Sequence, residues 1–121
     1  MVKMPKTGGQ LIAESLDANE VEYVFCVPGE SYLGALDALF DKKKSIKVIN
    51  ARHEAGAANM AESYGKITGK PGVALVTRGP GACHASVGVH IAHQDSTPMI
   101  LIVGDIARAV RDREAFQEVD F

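Results

Sequence analysis

The stretch Ile49-Asn50-Ala51-Arg52-His53-Glu54-Ala55-Gly56-Ala57-Ala58-Asn59-Met60-Ala61-Glu62-Ser63-Tyr64 runs from the end of a β-branched segment straight into a helix of small residues. Ile46-Lys47-Val48-Ile49 reads as the strand that feeds it, and Gly69 and Pro71 are its stop signals. Glu54 stands at the junction. A carboxylate on the first helical turn is favoured by the backbone dipole, and the Ala/Gly face behind it (Ala55, Gly56, Ala58, Ala61) suits close packing against something large. Burial there biases a carboxyl group toward its neutral form, making it a proton donor or relay near neutral pH. Most glutamates at helix starts only satisfy the dipole, so a functional role has to be supported by the neighbouring segments.

Outward from this unit, strand and helix patterns alternate. Thr7 and Gln10 have capping-box spacing, and Leu11, Ile12 and Leu16 then share one face, predicting a helix from about Gly8 to Ala18. Val21 to Val27 is an apolar strand ending at Pro28-Gly29. Ser31 is in place to cap a helix carrying Leu33, Leu36, Leu39 and Phe40, with Lys42-Lys43-Lys44 as its solvated end. Val73 to Thr77 is a third strand, followed by the turn Arg78-Gly79-Pro80-Gly81, a helix with Val87 and Ile91, and a fourth strand, Met99 to Val103. The charged segment after Gly104-Asp105 has no period. Alternation of this kind with apolar strands predicts an α/β fold with a mostly parallel sheet, covered by helices on both faces. Right-handed crossovers then bring Val27-Pro28-Gly29-Glu30, His53-Glu54, Arg78-Gly79-Pro80-Gly81 and Gly104-Asp105 to one rim, where such sheets bind ligands.

The 121 residues are 46% hydrophobic, enough for one core without disulfides or metal. A net charge of -2 and few aromatics disfavour nucleic acid as a partner. No apolar run is long enough to span a bilayer, and the start Met1 to Gly9 has no signal-like core, so a cytoplasmic protein is expected. Cys26 and Cys83 are expected to be reduced and structural.

Several chemistries fail on residue type. Gly79-Pro80-Gly81-Ala82-Cys83-His84 has a histidine where a dinucleotide fingerprint needs its third glycine, and no Gly-x-x-x-x-Gly-Lys phosphate loop occurs. His84, His90 and His93 lack a carboxylate or thiolate completing a zinc motif, so no metal site is expected. Ser86 lacks a nucleophile elbow, and Cys83 and His84, adjacent on a helix, do not face each other.

Read together, Val27-Pro28-Gly29, Arg52-His53-Glu54-Ala55, Thr77-Arg78-Gly79-Pro80-Gly81-Ala82, Asp95-Ser96-Thr97-Pro98 and Ala115-Phe116-Gln117-Glu118-Val119-Asp120 resemble the pyrimidine-binding domain of thiamine-diphosphate-dependent enzymes, in particular the acetolactate synthase branch. The resemblance runs from Thr7 to the last residue. It implies that Glu54 is the catalytic glutamate that hydrogen-bonds the cofactor's pyrimidine nitrogen and favours the imino tautomer that removes the thiazolium C2 proton. Val27, Pro28 and Gly29 then approach the cofactor, Pro80 and His84 flank the pyrimidine, and Glu30 and Gln117 lie near the substrate. The implied whole enzyme is a 2-keto acid decarboxylase or carboligase, a transferase or lyase.

Three departures stand out. His84 replaces the asparagine more usual in acetolactate synthases, Glu30 replaces a glycine, and His93-Gln94-Asp95 lacks the paired histidines of simple pyruvate decarboxylases. Residues 1–121 are expected to form a single pyrimidine-binding domain, without the family's middle domain, where some members carry FAD, or its diphosphate-binding domain, which holds magnesium. The chain alone is then inactive. Its expected partners are the diphosphate-binding domain of another subunit and further copies in a dimer or tetramer, with the Ala/Gly face after Glu54 as a contact. The alternatives are a noncatalytic assembly module of the same fold and a stand-alone nucleotide-binding α/β domain.

Overall fold

A computed structural model describes residues 5–120; Met1–Met4 of the N-terminal start read above, and Phe121, lie outside them. Four strands alternate with four helices: α1 (Gly8–Ala18), β1 (Tyr23–Cys26), α2 (Leu33–Asp41), β2 (Lys47–Asn50), α3 (Glu54–Thr68), β3 (Gly72–Val76), α4 (Pro80–Gln94) and β4 (Met99–Val103). The strands form one sheet in the order β2-β1-β3-β4, parallel throughout. The chain steps outward from β1 to β2 and then crosses back to β3, so the order reverses between β1 and β3. The crevice beyond their carboxyl ends is the switch point at which open α/β sheets take ligands.

Side-chain alternation divides the strands between two helical layers. Val24, Cys26, Val73 and Leu75 pack with Ala13, Leu16, Ala35 and Leu39 of α1 and α2. On the opposite face Val76, Met99, Leu101 and Val103 meet Ala58 of α3 and Ala85 of α4. Small residues let the second layer sit close: a Cβ added to Gly88 would stand 2.6 Å from the Ala58 Cβ and 2.8 Å from its backbone carbon. Ala57, Ala58 and Ala61 are fully buried within the chain. Ala58 and Ala61 are therefore spent on helix-on-helix and helix-on-sheet packing, and of the proposed contact face only Ala55 and Gly56 retain exposure.

The capping box of α1 forms as expected, with Thr7 N–H donating to Gln10 Oε1 (2.9 Å) and Gln10 N–H to Thr7 Oγ1 (3.2 Å). Gly69 closes α3 at φ 69°. Other boundaries differ. Val21 N–H is taken by the Leu16 carbonyl and Ile46 N–H by Lys42, so β1 and β2 each start later than their apolar patterns suggest. Ser31 does not cap α2, which begins without a side-chain cap after a 3-10 turn at Glu30–Tyr32. Its hydroxyl instead bonds Thr77 Oγ1 (2.8 Å) and accepts from Arg78 N–H (3.3 Å), tying together the turns after β1 and β3. Of the lysine run, Lys43 and Lys44 are exposed as expected, whereas Lys42 pairs with Asp17 at 2.6 Å, and that hydrogen bond holds the Asp17 carboxyl below its usual range. Cys26 is buried, its thiol donating to Asn50 Oδ1 (3.2 Å) and pushed up by desolvation, whereas Cys83 is exposed and not a core residue.

Candidate functional site

The turns after β1, β2 and β3 meet at the switch-point rim. Tyr32, buried beneath it, donates its hydroxyl to the carbonyls of Val27 and Leu75, the latter at 3.3 Å, and fixes the exit of β1 against β3. Burial raises this phenol above its usual value, with the nearby charges of Cys26 and Glu54 adding to the shift. Gly29 has an ordinary extended backbone, yet a Cβ there would stand 2.6 Å from Thr77 Cβ and 3.3 Å from Tyr32. It is glycine because the two turns touch. Pro28 is exposed beside it, and Pro80, also exposed, occupies the first turn of α4, where its missing N–H costs nothing.

Glu54 begins α3 at this rim, with 13% of its side chain exposed. His53 is the residue before it and caps the helix: its Nδ1 accepts from Ala55 N–H at 3.2 Å. His84, on the first turns of α4, places Nδ1 3.0 Å from Glu54 Oε2. The two imidazoles stack, centroids 4.6 Å apart and planes 30° from parallel. Among the described residues Glu54 Oε1 has no hydrogen-bond partner; a Cβ on Gly81 would stand at an ordinary contact distance of 3.6 Å from it but only 2.8 Å from Thr77 Cγ2, so it is Thr77 that requires the glycine. Among the described residues, His53, Glu54 and His84 are the cluster whose ligand atoms, all within 4.8 Å of one another, have the chemistry to hold a metal. The hydrogen bonds argue against that use. A neutral His53 whose Nδ1 accepts carries its proton on Nε2 and has no lone pair left for a cation. His90 and His93 lie exposed farther along α4 and take no part.

A second cluster borders the first. Arg78, 11% exposed, pairs with Glu30, donates from Nε to the Phe116 carbonyl (3.0 Å) and stacks on the Phe116 ring at 5.7 Å. Gln117 adopts φ 63°, and its carbonyl is among the atoms a Cβ on Gly79 would meet. Glu118 braces the same segment by accepting from the backbone N–H groups of Ala115 (2.8 Å) and Asp112 (2.6 Å), which holds its carboxyl below the usual range. Arg78 thus joins Glu30 to Phe116, the residue before Gln117. Sequence reasoning gave no role to Arg78 or His53. His53 stands where Ser, Thr, Asp or Asn usually caps, and that was its one available signal; Arg78 had none, because its partner lies 38 residues away.

A parallel α/β sheet carrying a largely shielded carboxylate at its switch point defines a doubly wound ligand-binding domain. Within that class the chain belongs to the thiamine pyrophosphate enzyme, N-terminal TPP binding domain family, whose model matches residues 6–121. It is 40% identical to the acetolactate synthase large subunit of Pyropia yezoensis over 98% of this chain and 20% of that protein. Against the acetolactate synthase of Mycobacterium avium it is 40% identical over 94% of this chain and 18% of the relative. The corresponding figures for the acetolactate synthase large subunit of Lactococcus lactis are 40%, 98% and 20%. The chain spans about a fifth of the length of these relatives.

Proposed function

We propose that this chain is the aminopyrimidine-binding domain of a thiamine-diphosphate-dependent, acetolactate synthase-like enzyme that decarboxylates or ligates a 2-keto acid. The observation that carries this reading is Glu54, shielded at the switch point with Oε2 held by His84 and Oε1 without a hydrogen-bond partner among the described residues. That donor set fits the cofactor's pyrimidine. Oε1 would hydrogen-bond the ring nitrogen, while the Val27-Pro28-Gly29 turn, Pro80 and His84 would border the ring. Glu30, paired with Arg78, and Gln117 would border the substrate. When bound, thiamine diphosphate supplies the electron sink that lets a carboxylate leave as carbon dioxide.

The reading assigns the diphosphate and its magnesium ion to a second domain contributed by another subunit, so the 121-residue chain does not turn over alone. Joined to its remaining domains, it is expected to release carbon dioxide from a 2-keto acid in the presence of magnesium and thiamine diphosphate. Glu54→Gln should lower that rate by about 10²-fold or more, the worth of a positioned acid–base group. Undiminished activity in the variant would transfer the chain to the noncatalytic assembly role, and micromolar nucleotide binding by the chain alone to the nucleotide-binding one.

A further inference from the structure

We infer that His84 is the proton conduit between water and Glu54. The inference rests on the cofactor-binding reading above and extends it to a residue acting through Glu54. Glu54 is 13% exposed at its side chain and His84 51%, so the imidazole spans from a shielded carboxylate to solvent. A ring seated on Oε1 leaves Oε2 as the other route for a proton, and Oε2 faces His84 Nδ1 at 3.0 Å.

The proton positions follow from the partners. With Glu54 as a carboxylate, which only accepts, a neutral His84 ring would carry its proton on Nδ1 and keep its lone pair on Nε2. A proton taken up at Nε2 is balanced by release of the Nδ1 proton to Glu54, with no net charge on the ring before or after. His53 holds the relay still: its own ring is fixed by the cap bond to Ala55 N–H, and it stacks on His84. The charged and titratable groups around the pair are few. Among the described residues, His53 caps α3 and stacks on His84, Tyr32 lies in the turn before α2, and Arg78, the cation of the β3 turn, is spent on Glu30. Among the described residues no lysine or arginine forms a salt bridge with Glu54, so His84 is its one proton-carrying hydrogen-bond partner.

A structural role and a relay role separate under His84→Asn, which keeps a donor to Glu54 but moves no proton. In the chain itself, 15N NMR of the side chains should find His84 as the Nδ1–H tautomer and His53 as the Nε2–H tautomer, with Glu54→Ala returning His84 to Nε2–H. An Nε2–H tautomer for His84 in the unsubstituted chain overturns the inference. In the enzyme joined to its remaining domains, His84→Asn should lower kcat by roughly tenfold, less than loss of a direct acid–base group costs. KM should be unchanged, and added imidazole should restore the rate. Unchanged kcat, or a loss that imidazole does not relieve, also overturns it. Glu54→Gln in the same enzyme keeps the two readings apart: full activity there sinks the cofactor assignment, whatever His84 does.

Discussion

Tyr32 shows how one side chain couples the site to stability. Its hydroxyl serves the carbonyls of Val27 and Leu75 from inside the core, and burial raises its folded value above the ordinary 10.0. A raised acid is neutral in the fold and ionises first in the unfolded chain. Its contribution is therefore complete below the unfolded value and declines as pH rises toward the folded one. Stability is expected to fall above about pH 10, and Tyr32→Phe, which deletes the titrating group, should flatten that fall while costing about 1 kcal/mol at neutral pH for the lost hydrogen bond. Urea midpoints measured across that range check both; an equal alkaline slope in the variant would exonerate Tyr32. At this scale the sequence was partly legible. The place of Glu54 at the rim was readable because a strand ran straight into its helix. His53 and Arg78 were not, since a cap is recognised by residue type and a histidine is not one of the usual types, and since nothing in a chain says which distant carbonyl a guanidinium will find.

Between elements, the geometry of the candidate site is set by how closely α3 and α4 approach. Glu54 opens one and His84 lies near the start of the other, and Gly88 against Ala58 fixes the spacing farther along. Gly88→Ala brings a methyl group to 2.6 Å from the Ala58 Cβ and 2.8 Å from backbone, so the helices must separate. A loss of about 1–3 kcal/mol is expected, with the His53–His84 stack weakened. Thermal unfolding measures the first, and the histidine ring shifts in NMR measure the second. Wild-type stability in the variant would show that the helices have slack. Element type and order were legible from period and punctuation, because apolar strands and small-residue helices leave different patterns. The ends were less so: Val21 and Ile46 look like strand residues, but their N–H groups close the preceding turns on Leu16 and Lys42. Ser31 has the chemistry of a cap, yet the meeting of two turns claimed its hydroxyl for Thr77 and Arg78.

Over the whole molecule the two edges of the sheet are unlike. β2 carries exposed Lys47, its ammonium 5.6 Å from the centre of the Tyr23 ring, and a charged residue of this kind discourages edge-to-edge pairing. β4 is Met99-Ile100-Leu101-Ile102-Val103, without a charge, and among the described residues it pairs on one side only, with β3. All five β3 residues are buried, whereas none of the β4 residues is, and Ile100 is 43% exposed. Such an edge is a template for another strand, and a second copy of the chain supplies one. The isolated chain is therefore expected to self-associate through β4 rather than through the alanine face of α3, whose Ala58 and Ala61 are already buried. Ile100→Lys adds a charge at an exposed position, where folding stability should change by about 0.5 kcal/mol or less. It should nonetheless weaken association by roughly tenfold, equivalent to about 1.4 kcal/mol. Sedimentation velocity over a concentration series reads this directly: the variant should stay monomeric where the parent chain sediments faster, and identical concentration dependence in the two would rule β4 out as the contact.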